Sequence, residues 1–165
     1  MKLYYSPGAC SLAPHIAFEE TGATYALQLV SIQRDEQQAS EHLKVNPRGK
    51  IPALHTDEGL LTKNVAIRPT SPARFRRRFP EEPIDLARCI SHLAYLSNTV
   101  HPAFSYIVRS ERFATDEAAH DNLRATGRPN ASKLLEELGA LLGDREWVLG
   151  SRYSIADPYM LVIYG

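Results

Sequence analysis

Two short β-rich apolar runs, KLYY at Lys2–Tyr5 and YALQLVSI at residues 25–32, flank the segment SLAPHIAFEETG, in which Leu12 and Ile16 stand at helical spacing and Gly22 supplies a stop. Strand, helix and strand in that order make a βαβ unit, and its two strands are expected to run parallel. A polar stretch, residues 33–45, carries a second, weakly patterned helix. PALHT and LLT then flank the turn DEG as a β-hairpin. The order βαβαββ follows, with a further helix after it. From Pro83 onward strand signals vanish: Leu86, Ile90, Leu93, Ser97, Val100 and Phe104 recur at steps of three and four, followed by ASKLLEELGALL and SIADPYMLVIY. The chain therefore reads as an α/β domain over residues 1–80 and an all-helical domain over residues 81–165, joined by the Pro/Arg-rich stretch 68–83.

With 165 residues, 44% of them hydrophobic, the chain can bury a real core. Its 19 Lys and Arg balance 19 Asp and Glu, so no global field favours nucleic acid or an anionic membrane. A small, weakly charged partner is expected, and no metal. Two cysteines, Cys10 and Cys89, are too few for a disulfide framework, and no secretory signal opens the chain. The longest apolar run, MLVIY, falls far short of the roughly 20 residues of a membrane span. These features predict a cytoplasmic protein.

Cys10 lies in the turn SPGAC just before a helix that holds Pro14. Proline lacks an N–H, so Pro14 belongs to the first turn and the helix begins near Cys10 or Ser11. A cysteine there is expected to favour its thiolate, through the helix dipole and the open N–H groups. A dithiol motif would need a second cysteine at position 13, where Ala13 stands. The second sulfur is therefore expected from solution, with glutathione the abundant cytoplasmic candidate. Cys89, beside Ile90 in a helical pattern, reads as core. In GKIPAL, residues 49–54, Pro52 can take either a cis bond, which would turn the Ile51 backbone outward to pair with an extended peptide, or an ordinary trans bond. In LLTKNVAI, Asn64 reads as the N-cap of a helix whose N–H groups could receive a carboxylate. SIAD, residues 154–157, reads as a capping box.

Taken together, YYSPGACSLAPHIAFEE, NPRGKIPAL, LLTKNVAI, VHPAFSYIVRSERF and WVLGSRYSIADPYMLV resemble a bacterial glutathione S-transferase of the beta, cysteine-type class. The resemblance spans nearly the whole chain. It implies a thioredoxin-like first domain, an all-α second domain and a homodimer, with glutathione as co-substrate and a small electrophile as acceptor. It also implies that Cys10 meets or bonds the glutathione sulfur, that Ile51 before cis-Pro52 pairs with the cysteinyl backbone, that Lys63 and Asn64 hold the γ-glutamyl end, and that His101 faces the cleft. Read without the family, His101 is equally consistent with a capped or solvated residue beside Pro102.

The chain departs from the family pattern in several places. Lys63 stands where the family has an acidic residue or glutamine, and its ammonium would repel the ligand's amino group or instead reach its α-carboxylate. Prolines at 69 and 72 argue against a regular helix there, and Arg74, Arg76, Arg77 and Arg78 read as a solvated face. TGRPNAS, residues 126–132, is expected to interrupt a helix, and the last helix stops early, as in a shortened member. The leading expectation is a glutathione transferase for conjugation, thiol exchange or peroxide reduction. Its rivals are a transferase-like binding module without turnover and, less compatible with the helical half, a monothiol glutaredoxin.

Overall fold

The computed structural model describes residues 1–67 and 80–165. The expected features of residues 68–79, including the four-arginine cluster, lie outside the described residues. The first half contains β1 (Lys2–Tyr5), α1 (Leu12–Thr21), β2 (Ala26–Leu29), a 3₁₀ turn (Glu36–Gln38), α2 (Ser40–Val45), β3 (Ala53–Thr56), β4 (Gly59–Thr62) and α3 (Asn64–Ile67). The second contains α4 (Pro83–Tyr95), a π turn (Leu96–Val100), α5 (His101–Val108), a 3₁₀ turn (Ser110–Arg112), α6 (Glu117–Leu142) and α7 (Ala156–Tyr164). The expected thioredoxin-like α/β region followed by helices is what the chain forms.

The sheet order is β2-β1-β3-β4. β1 runs parallel to β2, with Leu3 opposite Leu27, and antiparallel to β3, with Leu3 opposite Leu54. β3 and β4 close as a hairpin with Thr56 opposite Gly59. Because side chains alternate across a strand, Leu3 and Leu54 share one face, and there they meet Phe18 and Ile67 to form the smaller of two cores. The second strand is shorter than expected, four residues at the sheet edge with every one exposed. Among the described residues its main neighbour is β1, which pairs with its backbone edge and leaves its apolar side chains uncovered.

α1 serves both cores, and this corrects its expected inner face. Leu12 is 43% exposed, and the buried residues are Ala13, Pro14, Ala17, Phe18 and Thr21. A helix wedged between a sheet and a helical bundle turns small residues toward one neighbour and its large ring toward the other. Phe18 goes to the sheet, while Ala13 and Ala17 join Cys89, Leu93 and Tyr159 in the helical core. Gly22, in the left-handed region at φ 60°, ends the helix and donates its N–H to Glu19 and Phe18 carbonyls.

Of the expected series Leu86, Ile90, Leu93, Ser97, Val100 and Phe104, Leu93 and Val100 are buried, while Cys89, Leu96 and Ala103 complete the buried stripe and the other four are half-buried. Cys89 is fully buried, in agreement with its reading as core. The π turn re-phases the stripe between α4 and α5, and it sits where Pro102 cannot donate to the carbonyl four residues before it.

The expected break at TGRPNAS is absent: α6 runs unbroken over 26 residues with Pro129 inside it. Pro129 is exposed, so the carbonyl it leaves without a helical donor faces solvent. Gly127 is buried because α5 lies close: a Cβ at this position would stand 3.0 Å from Ile107 Cγ1. Tertiary contact thus holds helical a segment whose local chemistry argues for a break.

The capping box forms. Asp157 accepts from the Ser154 N–H at 2.6 Å and the Ser154 hydroxyl at 2.9 Å, and its other oxygen takes the Val148 N–H at 2.8 Å. The Ser154 hydroxyl oxygen accepts from Ala156 N–H at 3.3 Å. Asp157→Ala leaves these donors without their acceptor and is expected to destabilise the chain by about 2–3 kcal/mol, measured as a shift in the urea unfolding midpoint.

Candidate functional site

The turn that carries Cys10 is held from within. The Ser11 hydroxyl accepts from Ser6 N–H at 3.0 Å and donates to the Ser6 carbonyl at 3.1 Å, and Gly8 takes the left-handed φ of 67° that the tight turn requires. The Ser6 hydroxyl accepts from Ile32 N–H at 3.2 Å, tying the turn to the segment after β2. Cys10 therefore emerges at a defined place, at the end of the turn and beside the start of α1.

Opposite it runs the segment before β3. The Ile51–Pro52 bond is cis. The Cys10 thiol donates to the Ile51 carbonyl over 3.7 Å. Lys50 carbonyl oxygen accepts from Asn46 Nδ2 at 2.7 Å, which holds the preceding residue. On the third side, Asn64 Nδ2 donates to the Cys10 carbonyl at 3.0 Å. Asn64 is not the cap expected of it. The Lys63 carbonyl receives the Ala66 and Ile67 N–H groups, so Lys63 stands in the cap position, with a left-handed φ of 76°. The Asn64 amide is thereby turned inward, and its Oδ1 is buried without a hydrogen-bond partner among the described residues.

His101, the first residue of α5, enters from the helical half. Its ring lies 6.3 Å from that of Tyr159 on α7. Burial holds its pKa below the ordinary imidazole value, and the Lys63 ammonium lowers it further. Lys63 also acts on Cys10 and on Lys50, whose pKa burial, Arg112 and Lys63 together lower. Cys10, Ile51, Pro52, Lys63, Asn64 and His101 thus gather at one cleft, although they come from four separate segments.

The expected thiolate is corrected. Burial pushes the Cys10 thiol above its ordinary value, while the Asn64 amide, the Cys10 backbone N–H and Lys63 pull it down without cancelling that cost. The helix start gives less than expected because part of it is already used. Leu12 N–H bonds the Ala9 carbonyl and Ala13 N–H bonds the carbonyl of Cys10 itself. α1 begins two residues past the sulfur-bearing residue, and the side chain is half-buried between the cis-proline segment and the helical core. In the ligand-free chain this sulfur holds its proton at neutral pH.

Sequence reasoning missed Tyr159. It lies two residues beyond the capping box, on the same helical face as Ile155, and the only available signal was that i, i+4 spacing.

The family model for the glutathione S-transferase N-terminal domain matches residues 1–68. Among curated proteins, the chain is 32% identical to glutathione S-transferase GstA of Escherichia coli O157:H7, over 99% of this chain and 80% of that protein. Among solved structures, it is similar to a sphingomonad glutathione S-transferase complexed with glutathione, with a TM-score of 0.83 and 38% identity, covering 100% of this chain and 81% of the other. It is similar also to the bacterial beta class glutathione S-transferase of Sphingomonas chungbukensis, with a TM-score of 0.80 and 35% identity over 100% and 81% of the two chains.

Proposed function

Because the chain belongs to the glutathione S-transferase family and is a glutathione-dependent transferase, we propose that it is of the beta, cysteine-type class, with Cys10 as the residue that meets the glutathione sulfur. One observation carries this reading: the Cys10 sulfur, the Ile51 carbonyl before cis-Pro52 and the Asn64 amide converge on one point of the cleft. An extended peptide laid along Ile51 pairs its backbone there and brings its own thiol to Cys10. Lys63 and Asn64 take the γ-glutamyl end, and His101 faces the acceptor. Arg112 and Lys63 each lie close enough to Lys50 to act on its charge, and none of the three is in an ion pair among the described residues. That arrangement favours a ligand with carboxylates, as glutathione has.

Since Cys10 keeps its proton in the free chain, its first role in this proposal is as a donor. Its S–H hydrogen-bonds the glutathione sulfur as that sulfur ionises, and the glutathione anion attacks a small electrophile. Residues 1–80 form the glutathione-binding domain in this reading and residues 81–165 the helical domain, in a cytoplasmic homodimer that serves detoxification.

A specific observation favours a second reading, that of a binding module with weak turnover. The Asn64 amide is committed to Cys10, and Lys63 presents an ammonium where the ligand's own ammonium must come. Calorimetric titration with glutathione separates the two. Saturable heat below about 1 mM ligand is the expected result for a transferase, and no heat at that concentration overturns it in favour of the module.

A further inference from the structure

His42, on α2, is 5% exposed, and its imidazole meets groups from two other segments. Its Nε2 lies 3.4 Å from the Lys50 carbonyl oxygen, and the Tyr4 ring of β1 stands edge-on to it with 5.7 Å between centroids. A carbonyl oxygen only accepts, so Nε2 carries the proton of the neutral ring. Nδ1 is then a bare acceptor, buried without a hydrogen-bond partner among the described residues. Such an arrangement is unfavourable for a side chain that merely fills space, since phenylalanine would fill it with no buried nitrogen left over.

The Lys50 carbonyl links this histidine to the site. Asn46, four residues after His42 and so on the same side of the helix end, donates its Nδ2 to the same oxygen at 2.7 Å. Both lone pairs of that oxygen are engaged by separate donors, so the peptide group cannot rock about a single bond. The Gly49 carbonyl before it is held as well, by Gln38 Nε2 at 3.2 Å. The peptide bond from Lys50 to Ile51 is trans, a flat unit whose carbonyl and N–H point opposite ways. Holding the Lys50 oxygen toward His42 and Asn46 therefore turns the Ile51 N–H away from them. On the far side of the same residue, the Ile51 carbonyl accepts from the Cys10 thiol.

We propose that His42 is a positioning residue: together with Asn46 it fixes the Lys50 carbonyl and thereby the direction of the Ile51 N–H, the donor that an extended peptide meets on this segment, a role that deepens the site reading given above and rests on it for glutathione as that peptide. A ligand that meets a fixed N–H need not order the segment as it binds. Loss of the histidine should therefore appear as weaker peptide binding and not as a misplaced sulfur, because Cys10 is held independently by its own turn and by Asn64.

The test is calorimetric titration of the full chain with reduced glutathione, in the wild type, His42→Phe and His42→Gln. Phenylalanine keeps a flat ring of similar size without a donor, whereas glutamine carries an amide N–H to about the place of Nε2. The dissociation constant is expected to rise about fivefold in His42→Phe and to return to within about twofold of the wild type in His42→Gln. A purely structural histidine would move the urea unfolding midpoint and leave the affinity of the folded chain alone. A rise of less than about twofold in His42→Phe, or a glutamine variant as weak as the phenylalanine one, overturns the proposal. A second measurement needs no ligand: the order parameter of the Ile51 amide from nitrogen relaxation should stand near the rigid-backbone value of about 0.85 in the wild type and in His42→Gln, and fall below about 0.6 in His42→Phe. An order parameter unchanged in His42→Phe overturns the proposal whatever the affinity does. Should His42→Phe not fold, His42→Leu is read in the same way. A wild-type chain that takes up no glutathione, with the order parameters as expected, sinks the transferase reading alone. Normal uptake in the wild type with no loss in the phenylalanine variant sinks the histidine role alone.

Discussion

Cys10→Ser is expected to stay at its unmodified mass after incubation with oxidised glutathione, while the wild-type chain gains a single glutathionyl group. In that exchange the Cys10 thiolate attacks one sulfur of the disulfide. The old S–S bond breaks, a new one forms to Cys10, and one glutathione thiolate leaves and takes up a proton from water. The cysteine is oxidised and half of the disulfide is reduced, so electrons balance. Serine at this position offers no comparable nucleophile, and capture is expected to fall by about 10³-fold or more. Only one adduct is expected because Cys89 is fully buried.

The pH dependence follows from the direction of the shift. With the Cys10 pKa raised above 9.0 by burial, the thiolate is the minor form at neutral pH, and capture should quicken by about tenfold per pH unit until the thiol's own midpoint is passed. A wild-type chain that remains unmodified even at pH values above the ordinary thiol pKa would remove Cys10 from the chemistry. An adduct of equal yield on the serine variant would do the same.

Phe18→Ala is expected to cost about 3–5 kcal/mol in urea unfolding, a large share of the roughly 5–15 kcal/mol that holds a domain together. Phe18 is 1% exposed and fills the space between the sheet and α1 against Leu3, Leu54 and Ile67. Its ring stacks on Tyr25 at 4.9 Å. Truncation leaves a cavity that the strands cannot close, because β1 and β3 are fixed by their ladder. The effect should reach the site as well: α1 follows directly on the turn that carries Cys10, so the variant's residual folded fraction should show weakened glutathione capture. A loss of less than about 1 kcal/mol would mean that α1 is held mainly by the helical core, through Ala13 and Ala17, and that the sheet contact is secondary.

Periodicity and punctuation were enough for much of this fold. Gly22 ends α1, the DEG turn closes a hairpin, and Pro14 dates the helix start; each is a local steric fact written in one or two residues. The same local logic placed Ser154 and Asp157 in a reciprocal cap. Where the chain departs from these readings, a neighbour distant in sequence is the cause. Pro129 lies within a continuous helix, close to where Gly127 lets α5 approach. Leu12 faces solvent because Ala13 and Ala17 fit a closer helical neighbour.

The site divides in the same way. That Cys10 stands in a tight turn ahead of a helix, without a second cysteine three residues on, is a property of the sequence alone, and it names a monothiol. Whether that thiol ionises is a property of its surroundings. Burial depends on which groups close over Cys10, and the Ile51 carbonyl and the Asn64 amide meet it from positions 41 and 54 residues away along the chain. Local residues determined where the sulfur sits and which way the helix runs; tertiary packing decided its proton affinity, because desolvation and hydrogen bonding act through space and not along the backbone.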